Sequence, residues 1–564
     1  MIRTLTARFG AILLIALALP GHAEPPAAAI ASAHPLATEA GFAILDQGGN
    51  AFDAAVAVSA ALAVVEPHGS GMGGGGFWLL HQADSGRNVM VDGRETAPGA
   101  ASRDMYLDNR GQVVRDWAIN GPSAAAIPGQ PAALAHLAGR YGRLPLAASL
   151  APAIRLAREG FTVEEHYRRL ALSRRDILNR SPDARRIFLS NGEVPPVGHL
   201  IVQSDLAILL EALAEHGHDG FYRGDLAQKL VDGVVDNGGL WSLEDLAGYR
   251  VIERDPVIGT FRGARIISAA PPSSGGVVLL QALNILERFN DGRVDPALLP
   301  HLAVESMRRA YRDRALYLGD PDFVSMPLDK LTDKDYATAL ATDIRLDRAT
   351  PSASLGKPVT VEQGNHTSHF SIIDQEGNRV AATLSINLPF GSGFVVPGTG
   401  LLLNNEMDDF SANPGAANAY GLIGGEANAI APGKRPLSSM TPTFIEWDGK
   451  VAILGTPGGS RIISMVMLAA LEALDGKPAK DWVARPRFHH QYQPDLVQAE
   501  PDFVGTEAGK SLLVRGHAME STGRRYGNMQ AILWDSRNGK LEAASDPRGI
   551  GASLVRPAQR STEN

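Results

Sequence analysis

Thr367 is the residue whose type and position first suggest chemistry. It lies in the sequence GNHTSHFS at residues 364–371, where a run typical of a β-strand begins. A threonine hydroxyl is a weak nucleophile unless a base lies beside it, and cleavage of the chain just before Thr367 would supply its own α-amine as that base. β-Branched residues also open strands for purely structural reasons, so this interpretation depends on the neighbours of Thr367.

The segment that follows Thr367 predicts an antiparallel hairpin. Residues 367 to 373 and 379 to 387 have the pattern of strands, and residues 374 to 378 (DQEGN) have that of a turn. Such a hairpin returns residues 385 to 387 to the neighbourhood of Thr367. Ser385 and Asn387 share one face of the second strand, but a shift of one residue in register exchanges the faces. The sequence leaves open which of these two side chains lies on the face of Thr367.

Short blocks of small, polar and charged residues extend along most of the chain. In chain order they are GNAFDAAVA (49–57), EPHGSGMGGGG (66–76), GRETAP (93–98), PPSSGG (271–276), TSHF (367–370), LNNEMDDF (403–410), RPLSSM (435–440) and PGGSR (457–461). In content and order these blocks resemble those of the γ-glutamyltransferases, also called γ-glutamyl transpeptidases, of the N-terminal nucleophile hydrolase superfamily. The resemblance spans nearly all of the chain after its first 23 residues.

This resemblance implies a fold, a maturation step and a two-chain product. The expected fold is of the α+β class, a four-layer αββα sandwich. Thr367 is expected to attack the carbonyl of His366, giving an ester that water opens, while His366 itself has no expected catalytic role. Residues 24–366 would form the large subunit and residues 367–564 the small subunit, and together they would form one catalytic domain.

The resemblance also implies a reaction. Thr367 would take the γ-glutamyl group of glutathione or a related amide and pass it to water or to an amino acid or peptide amine, with no metal or organic cofactor. Ser385 would position the α-amine of Thr367. The backbone N–H groups of Gly458 and Gly459 would stabilise the oxyanion. Tyr420 would lie on a lid loop at residues 413 to 432.

The remaining site residues are expected to hold the two charges of the glutamyl group. Its α-carboxylate would bind Arg94, whose planar guanidinium suits two parallel hydrogen bonds, with added donors from Ser438 and Ser439. Its α-ammonium would bind Glu406 and Asp409. Asn387 would add a hydrogen bond to the substrate.

Each of these residue types also has an ordinary structural explanation. Arg94 could pair with Glu95 at the surface, the acidic block could be a solvated loop, and the glycine pair could form a tight turn. Two rival functions remain open: a cephalosporin acylase acting on a glutaryl amide that lacks the α-ammonium, and an uncleaved γ-glutamyl peptide-binding protein. Glu406 and Asp409 favour the γ-glutamyl substrate over the glutaryl one.

Composition and the first residues bound the class of protein. The formal net charge of −8 and the lack of a long basic run argue against a nucleic-acid partner, and the absence of cysteine excludes disulfides and cysteine metal sites. Residues 1–23 carry Arg3 and Arg8, an apolar run and small residues up to Ala23, which is typical of a secretory signal peptide. No later stretch approaches the roughly 20 apolar residues of a membrane span. These features predict a periplasmic protein with small-molecule partners.

The remaining patterns predict elements around the hairpin. Residues 51 to 65 are almost all apolar and follow the potential N-cap Asn50, so they predict a helix buried on all sides inside the sandwich. Residues 129 to 250 are mostly helical in pattern, with one helix starting at Pro152 and another over residues 206 to 216. Residues 250 to 268 resemble a strand. A helix that contains residues 279 to 286 is expected to begin after Ser273 and Ser274, and a second helix is expected over residues 300 to 318. Residues 341 to 363 are expected to form a mobile tail that cleavage releases.

Overall fold

The structure is a computed structural model that describes residues 24–289, 293–356, 367–412 and 425–557. The predicted signal peptide, His366 and Tyr420 lie outside these described residues.

The strands form two large antiparallel sheets and two small sheets. In chain order they are β1 (Ala28–Ser32), β2 (Gly75–His81), β3 (Asn88–Gly93), β4 (Phe161–Thr162), β5 (Leu200–Ile201), β6 (Ile252–Arg254), β7 (Val257–Phe261), β8 (Ala264–Ser268), β9 (Ser368–Ile373), β10 (Arg379–Ser385), β11 (Thr443–Trp447), β12 (Lys450–Gly455), β13 (Phe488–His489), β14 (Val497–Ala499), β15 (Met519–Ser521), β16 (Gln530–Asp535), β17 (Lys540–Ser545) and β18 (Ala552–Arg556). The first sheet has the strand order β18-β1-β9-β10-β2-β3-β6, and the second has the order β17-β16-β12-β11-β8-β7.

Helices cover the outer faces of the two large sheets. In chain order they are α1 (Pro35–Leu45), α2 (Ala51–Val65), α3 (Arg115–Ile119), α4 (Gln130–Arg140), α5 (Leu146–Glu159), α6 (Glu165–Leu178), α7 (Pro182–Phe188), α8 (Ser204–His216), α9 (Asp219–Tyr222), α10 (Gly224–Val235), α11 (Leu243–Gly248), α12 (Gly275–Glu287), α13 (Leu299–Tyr317), α14 (Leu328–Thr332), α15 (Lys334–Ala341), α16 (Arg461–Leu474), α17 (Ala479–Ala484), α18 (Pro501–Val504) and α19 (Glu507–Val514). Helices α1, α2 and α4 contact the first sheet, and α12, α16 and α17 contact the second. Because β9 and β10 face β12 across the middle, the layers are helix, sheet, sheet, helix, and the predicted αββα sandwich is confirmed.

Helix α2 shows how the sequence produces one of these layers. Asn50 and Asp53 form a reciprocal capping box at its start, and every residue from Ala51 to Val65 is buried. The predicted helix is therefore confirmed, but its predicted location is wrong. It lies in the outer helical layer, between the first sheet and helices α1, α4 and α5, because those helices cover the side that the sheet leaves exposed.

Three other predicted boundaries differ from the structure. Pro152 does not begin a helix but lies inside α5, which starts at Leu146. The strand-like residues 250 to 268 divide into β6, in the first sheet, and β7 and β8, in the second. The predicted tail begins as ordered structure, because Ser352 is fully buried.

The predicted hairpin is confirmed as β9 and β10. Its register pairs Leu384 with Ser368 and Thr383 with His369, which places the end of β10 beside the start of β9. The carboxylate of Asp374 accepts hydrogen bonds from the turn and from the backbone N–H of Ala51 at the start of α2. The second strand ends at Ser385, two residues earlier than predicted, because Asn387 has a positive φ of 72° that leaves the β-region.

Candidate active site

Thr367 immediately precedes β9 and lines two cavities. The next residue, Ser368, donates a hydrogen bond of 2.6 Å from its hydroxyl to the Glu66 carboxylate. Gly69 lies against the backbone of Thr367, so a Cβ at that position would come 3.5 Å from the Thr367 carbonyl oxygen and 2.8 Å from Ser368 Oγ. The EPHGSG block therefore holds the start of β9 from one side.

A cavity in front of Thr367 contains most of the residues predicted for the site, and it is called the glutamyl cavity below. The predicted residues that line it are Arg94, Thr367, Ser385, Asn387, Glu406, Asp409, Ser438, Ser439 and Gly459. Gly458 lines a neighbouring cavity on the other side of Thr367. The structure therefore brings together residues that are far apart in the sequence.

The sequence left open whether Ser385 or Asn387 lies on the side of Thr367. In the structure both side chains line the glutamyl cavity together with Thr367. The backbone N–H of Asn387 donates to Ser385 Oγ at 2.7 Å, and Asn387 Nδ2 donates to the Asn405 carbonyl at 2.9 Å. The positive φ of Asn387 turns the chain at the end of β10, which lets both side chains reach the same cavity.

Arg94 is buried, with 1% of its surface exposed, and it is surrounded by acids. Its Nη1 lies 2.7 Å from Glu406 Oε2 and 3.6 Å from Glu95 Oε2, and its Nη2 donates to Asp409 Oδ2 at 2.6 Å. Burial alone would lower the pKa of Arg94, but Glu406, Glu95 and Asp409 outweigh burial and raise it. The simple picture of Arg94 as a surface partner of Glu95 is therefore wrong.

The acids around Arg94 carry more negative charge than one guanidinium can compensate. Burial raises the pKa of Glu406 well above its ordinary value, since Glu95 and Asp409 add repulsion and Arg94 only partly opposes it. Burial likewise raises the pKa of Glu95 to about 7. Among the described residues, neither carboxylate oxygen of Glu406 has a well-aligned hydrogen-bond donor. A cation placed beside Glu406 and Asp409 would offset the repulsion between the acids and would give the Glu406 carboxylate a further partner.

Ser438 and Ser439 reach the cavity on a segment held by the PPSSGG block. The Ser438 carbonyl accepts hydrogen bonds from the backbone N–H of Ser274, at 2.8 Å, and from its hydroxyl, at 2.7 Å. Ser439 Oγ accepts a hydrogen bond of 3.3 Å from Arg314 Nη2. Burial lowers the pKa of Arg314 to about 10. The serine pair is thus fixed from α13 and from the start of α12.

Gly458 and Gly459 lie in the turn between β12 and α16. Their φ values are 147° and 57°, both in the region that favours glycine. A Cβ on Gly458 would come 2.5 Å from Met465 Cε. The turn therefore requires glycines for backbone reasons, and it also brings main-chain groups to Thr367 at the N-terminal end of α16, where the helix dipole favours negative charge.

Two residues near Thr367 carried no assigned role in the sequence. Glu66 was visible as part of a family block, but nothing in the sequence indicated that it would contact Ser368. Arg314 lies in no block at all, and only the packing of α13 brings it to Ser439. His366 and Tyr420 lie outside the described residues, so their predicted roles stay predictions.

One cluster among the described residues has the composition of a metal site: His301, Glu305 and His517. His301 Nδ1 and His517 Nε2 are 2.7 Å apart and share a hydrogen bond, and His301 Nε2 bonds the carbonyl of Arg345. Glu305 binds Arg309 at 2.6 Å. These groups already satisfy one another, which favours a structural network over a metal site.

A four-layer αββα sandwich with a threonine at the start of an inner strand and a buried charged cavity beside it defines an N-terminal nucleophile hydrolase. Comparisons with known proteins identify the family. The sequence model of the family described as Gamma-glutamyltranspeptidase matches residues 37–555. The chain is 42% identical to the glutathione hydrolase proenzyme of Escherichia coli (strain K12) over 92% of this chain and 90% of that protein. The chain belongs to the gamma-glutamyltranspeptidase family, whose members are acyltransferases and hydrolases.

Solved structures agree with this assignment. The cephalosporin acylase from Bacillus halodurans has a TM-score of 0.82 at 29% identity and covers 98% of this chain and 99% of its own. The gamma-glutamyltranspeptidase of Helicobacter pylori has a TM-score of 0.56 at 41% identity, and 94% of that solved chain matches 58% of this one. The described residues contain no helix that is both long and apolar enough to span a membrane.

Proposed function

We propose that this protein is a glutathione hydrolase and γ-glutamyltransferase that cleaves itself before Thr367. The observation that carries the proposal is the position of Thr367 at the same cavity as Arg94, Glu406 and Asp409, which match the charges of a γ-glutamyl head group. Similarity to a protein named as a glutathione hydrolase proenzyme supports both the substrate and the maturation.

When the glutamyl head group binds, its two charges replace the ion pairs between Arg94 and the acids Glu406 and Asp409. In the structure the guanidinium of Arg94 is held by Glu406 and Asp409. The substrate α-carboxylate takes hydrogen bonds from Arg94, Ser438 and Ser439, while its α-ammonium takes the acids. Because the substrate brings one charge of each sign, every buried charge keeps a partner. These are the partners that the sequence predicts for the two charges, and the structure adds that Arg94 and the acids pair with each other.

The chemistry follows from the position of Thr367 between the two cavities. Its α-amine, with a reference pKa of about 7.7–8.0, takes the hydroxyl proton as the oxygen attacks the γ-carbonyl. The backbone N–H groups of Gly458 and Gly459 stabilise the oxyanion, and the hydroxyl of Ser385 positions the α-amine. The leaving amine departs with the proton, and water or an acceptor amine then opens the γ-glutamyl ester.

Maturation uses the same hydroxyl. Thr367 Oγ attacks the carbonyl carbon of His366, the peptide C–N bond breaks to give an ester and the α-amine of Thr367, and water hydrolyses the ester. The products are a large subunit ending at His366 and a small subunit beginning at Thr367, with residues 1–23 removed on export to the periplasm. The partial coverage of this chain by the solved Helicobacter pylori chain supports a two-chain product.

Intact mass under denaturing conditions tests the maturation. The wild type is expected to give two fragments that meet between His366 and Thr367. Thr367→Ala is expected to stay whole, while Thr367→Ser, which keeps a hydroxyl, is expected to cleave. A wild-type chain that stays whole with full solubility would favour the γ-glutamyl peptide-binding protein instead.

The second candidate is a cephalosporin acylase, which the structural similarity to the Bacillus halodurans enzyme favours. A glutaryl group lacks the α-ammonium, so it would take Arg94 from Glu406 and Asp409 and leave these buried acids without a cation. The comparison of γ-glutamyl and glutaryl anilides decides between the two. Faster turnover of the glutaryl anilide would show that the substrate is a glutaryl amide and not a γ-glutamyl amide.

A further inference from the structure

A second cavity adjoins Thr367 on the side away from Arg94, and it is called the leaving-group cavity below. Its volume is about 400 Å³, and its lining includes Thr367, Glu66 and Gly458 together with four arginines: Arg169, Arg524, Arg525 and Arg548. Thr367 lies at both cavities, while Gly458 lines this one and Gly459 lines the glutamyl cavity. A substrate whose glutamyl head fills the glutamyl cavity therefore places the amine side of its amide in the leaving-group cavity.

The arginines of the leaving-group cavity differ in their partners. Arg525 pairs with Asp502 at 2.6 Å, and Arg548 pairs with Glu500 at 2.7 Å. Arg169 and Arg524 have no carboxylate within ion-pair distance in residues 24–289, 293–356, 367–412 and 425–557. Two of the four guanidinium groups are therefore available to an anion.

Arg169 and Arg524 also line the same cavity, close enough to repel each other. Arg169 Nη2 lies 2.8 Å from His166 Nδ1, which accepts its hydrogen bond when neutral. Burial, followed by repulsion from Arg524, lowers the pKa of Arg169. Burial also lowers the pKa of His166 to about 4, and both arginines add to that shift. Two like charges thus converge beside a neutral histidine, an arrangement that an anion would stabilise.

We propose that Arg169 and Arg524 bind the free carboxylate of the peptide portion of the substrate and of acceptor amino acids or dipeptides. The inference rests on the proposed γ-glutamyl transfer. The lining of the cavity fits: Glu66, whose carboxylate accepts a hydrogen bond from Ser368 next to Thr367, suits the amine, and Arg169 and Arg524 on the same lining suit the carboxylate. A volume of about 400 Å³ is within the range of small-molecule sites and accommodates a dipeptide.

The two arginines come from opposite sides of the predicted cleavage point. Arg169 lies on α6 in the predicted large subunit, and Arg524 follows β15 in the predicted small subunit. The carboxylate site is therefore complete only when the two chains are assembled.

The test compares substrates with and without the carboxylate on Arg524→Ala, Arg169→Ala and the matched control Arg525→Ala. Arg525 lines the same cavity but is already paired with Asp502. Glutathione carries the carboxylate, whereas γ-glutamyl-p-nitroanilide does not. We expect each of the first two variants to lose about tenfold or more in kcat/KM for glutathione, as for a lost charged hydrogen bond. Their kcat/KM for the anilide should stay within about twofold of wild type, and Arg525→Ala should change neither.

Acceptors supply a second readout with the anilide as donor. The wild type should prefer glycylglycine to its C-terminal amide, and Arg524→Ala should lose that preference while Arg524→Lys keeps part of it. Equal losses on glutathione and the anilide, or an unchanged preference for glycylglycine, would overturn the carboxylate site while leaving γ-glutamyl transfer intact. A wild type that hydrolyses neither donor would overturn the proposed function and this site together. Intact masses showing two fragments establish that each variant has matured.

Discussion

At the scale of single residues, the charges around Arg94 form the proposed binding site for the substrate's charged groups. Their burial also has a cost in free energy. One guanidinium faces Glu406, Asp409 and Glu95 with little exposure to water. Burial of these charges is costly, and it raises the pKa values of Glu95 and Glu406. The site therefore holds charge ready for a zwitterion.

Arg94→Lys tests the geometry of this arrangement. The lysine keeps the positive charge but loses the planar fork that binds a carboxylate through two hydrogen bonds. We expect KM for γ-glutamyl-p-nitroanilide to rise about 10- to 100-fold while kcat changes much less, as for a lost charged hydrogen bond. Steady-state kinetics provide the measurement. A KM equal to that of the wild type would show that Arg94 does not hold the α-carboxylate.

Glu66 provides a prediction about pH and stability. Burial raises its pKa to about 7, with a small further rise from Glu164, while the hydrogen bond from Ser368 opposes the shift. The groups that face it are Ser368, Glu164 and His68, whose Nε2 lies 3.9 Å away. Because its pKa in the folded protein exceeds the ordinary value of 4.5, its stabilising contribution is complete below about pH 4.5 and is lost as pH rises through about 7.

Glu66→Gln removes this titration and keeps an acceptor for Ser368. Relative to the variant, the wild type is expected to lose up to ~3 kcal/mol of stability between pH 4.5 and pH 8. Urea unfolding of both proteins across this range measures the difference. A difference that does not vary with pH would mean that Glu66 titrates normally in the folded protein.

At the scale of elements, the turn of the β9–β10 hairpin is attached to helix α2. Asp374 accepts hydrogen bonds from Ala51 N, Glu376 N, Asn378 N and Asn378 Nδ2. This connection fixes the far end of the hairpin, and the pairing of Leu384 with Ser368 fixes the end at Thr367. Rigid placement of the hairpin thus sets the position of the nucleophile.

Asp374→Ala is expected to destabilise the protein by about 2–4 kcal/mol, because four accepted hydrogen bonds are lost and their buried donors are left unsatisfied. Slower self-cleavage should accompany the loss. The matched control is Glu376→Ala in the same turn, whose carboxylate pairs with Arg143 at the surface. Denaturant unfolding and the fraction of cut chain over time report both effects. Equal destabilisation by the two variants would contradict the role of Asp374.

At the scale of the whole molecule, both sheets combine strands from the two sides of the predicted cleavage point. In the first sheet, β1 from the large subunit lies between β18 and β9 from the small subunit, and β2 pairs with β10. In the second sheet, β8 pairs with β11. We therefore expect the two fragments to elute together in size exclusion without denaturant and to unfold in one transition. Separate elution of intact fragments would contradict this interleaving.

Ser352, in the last described segment of the predicted large subunit, is held by Asp495 of the predicted small subunit. This carboxylate accepts from the backbone N–H of Ser352 at 2.7 Å and pairs with Arg308, while the backbone N–H of Thr350 donates to Glu305. Asp495→Ala should therefore release this segment.

Limited proteolysis within residues 343–356 is expected to be about tenfold faster in Asp495→Ala than in wild type, because local opening becomes less costly. Asp502→Ala, which removes another small-subunit acid from a surface pair, serves as the control. Equal cleavage rates in all three proteins would mean that Asp495 does not hold the segment.

The sequence by itself determined the hairpin that follows Thr367, the buried helix α2 and the family, and it predicts Thr367 as the nucleophile. These features depend on local patterns: alternation, capping residues and short ordered blocks. Helix α5 was placed with a wrong start because Pro152 fits both the first turn of a helix and, where packing tolerates it, the interior.

Only the tertiary structure decided which charges meet. Arg94 and Asp409 are separated by 315 positions in the chain yet lie 2.6 Å apart, and Arg169 and Arg524 line one cavity from different parts of the chain. Such contacts depend on the register of strands and on the way helices cover sheets, which a local pattern does not encode. The sequence therefore identified the chemical groups, whereas the packing of the four layers decided that Arg94 pairs with Glu406 and Asp409 and that a second cavity opens beside Thr367.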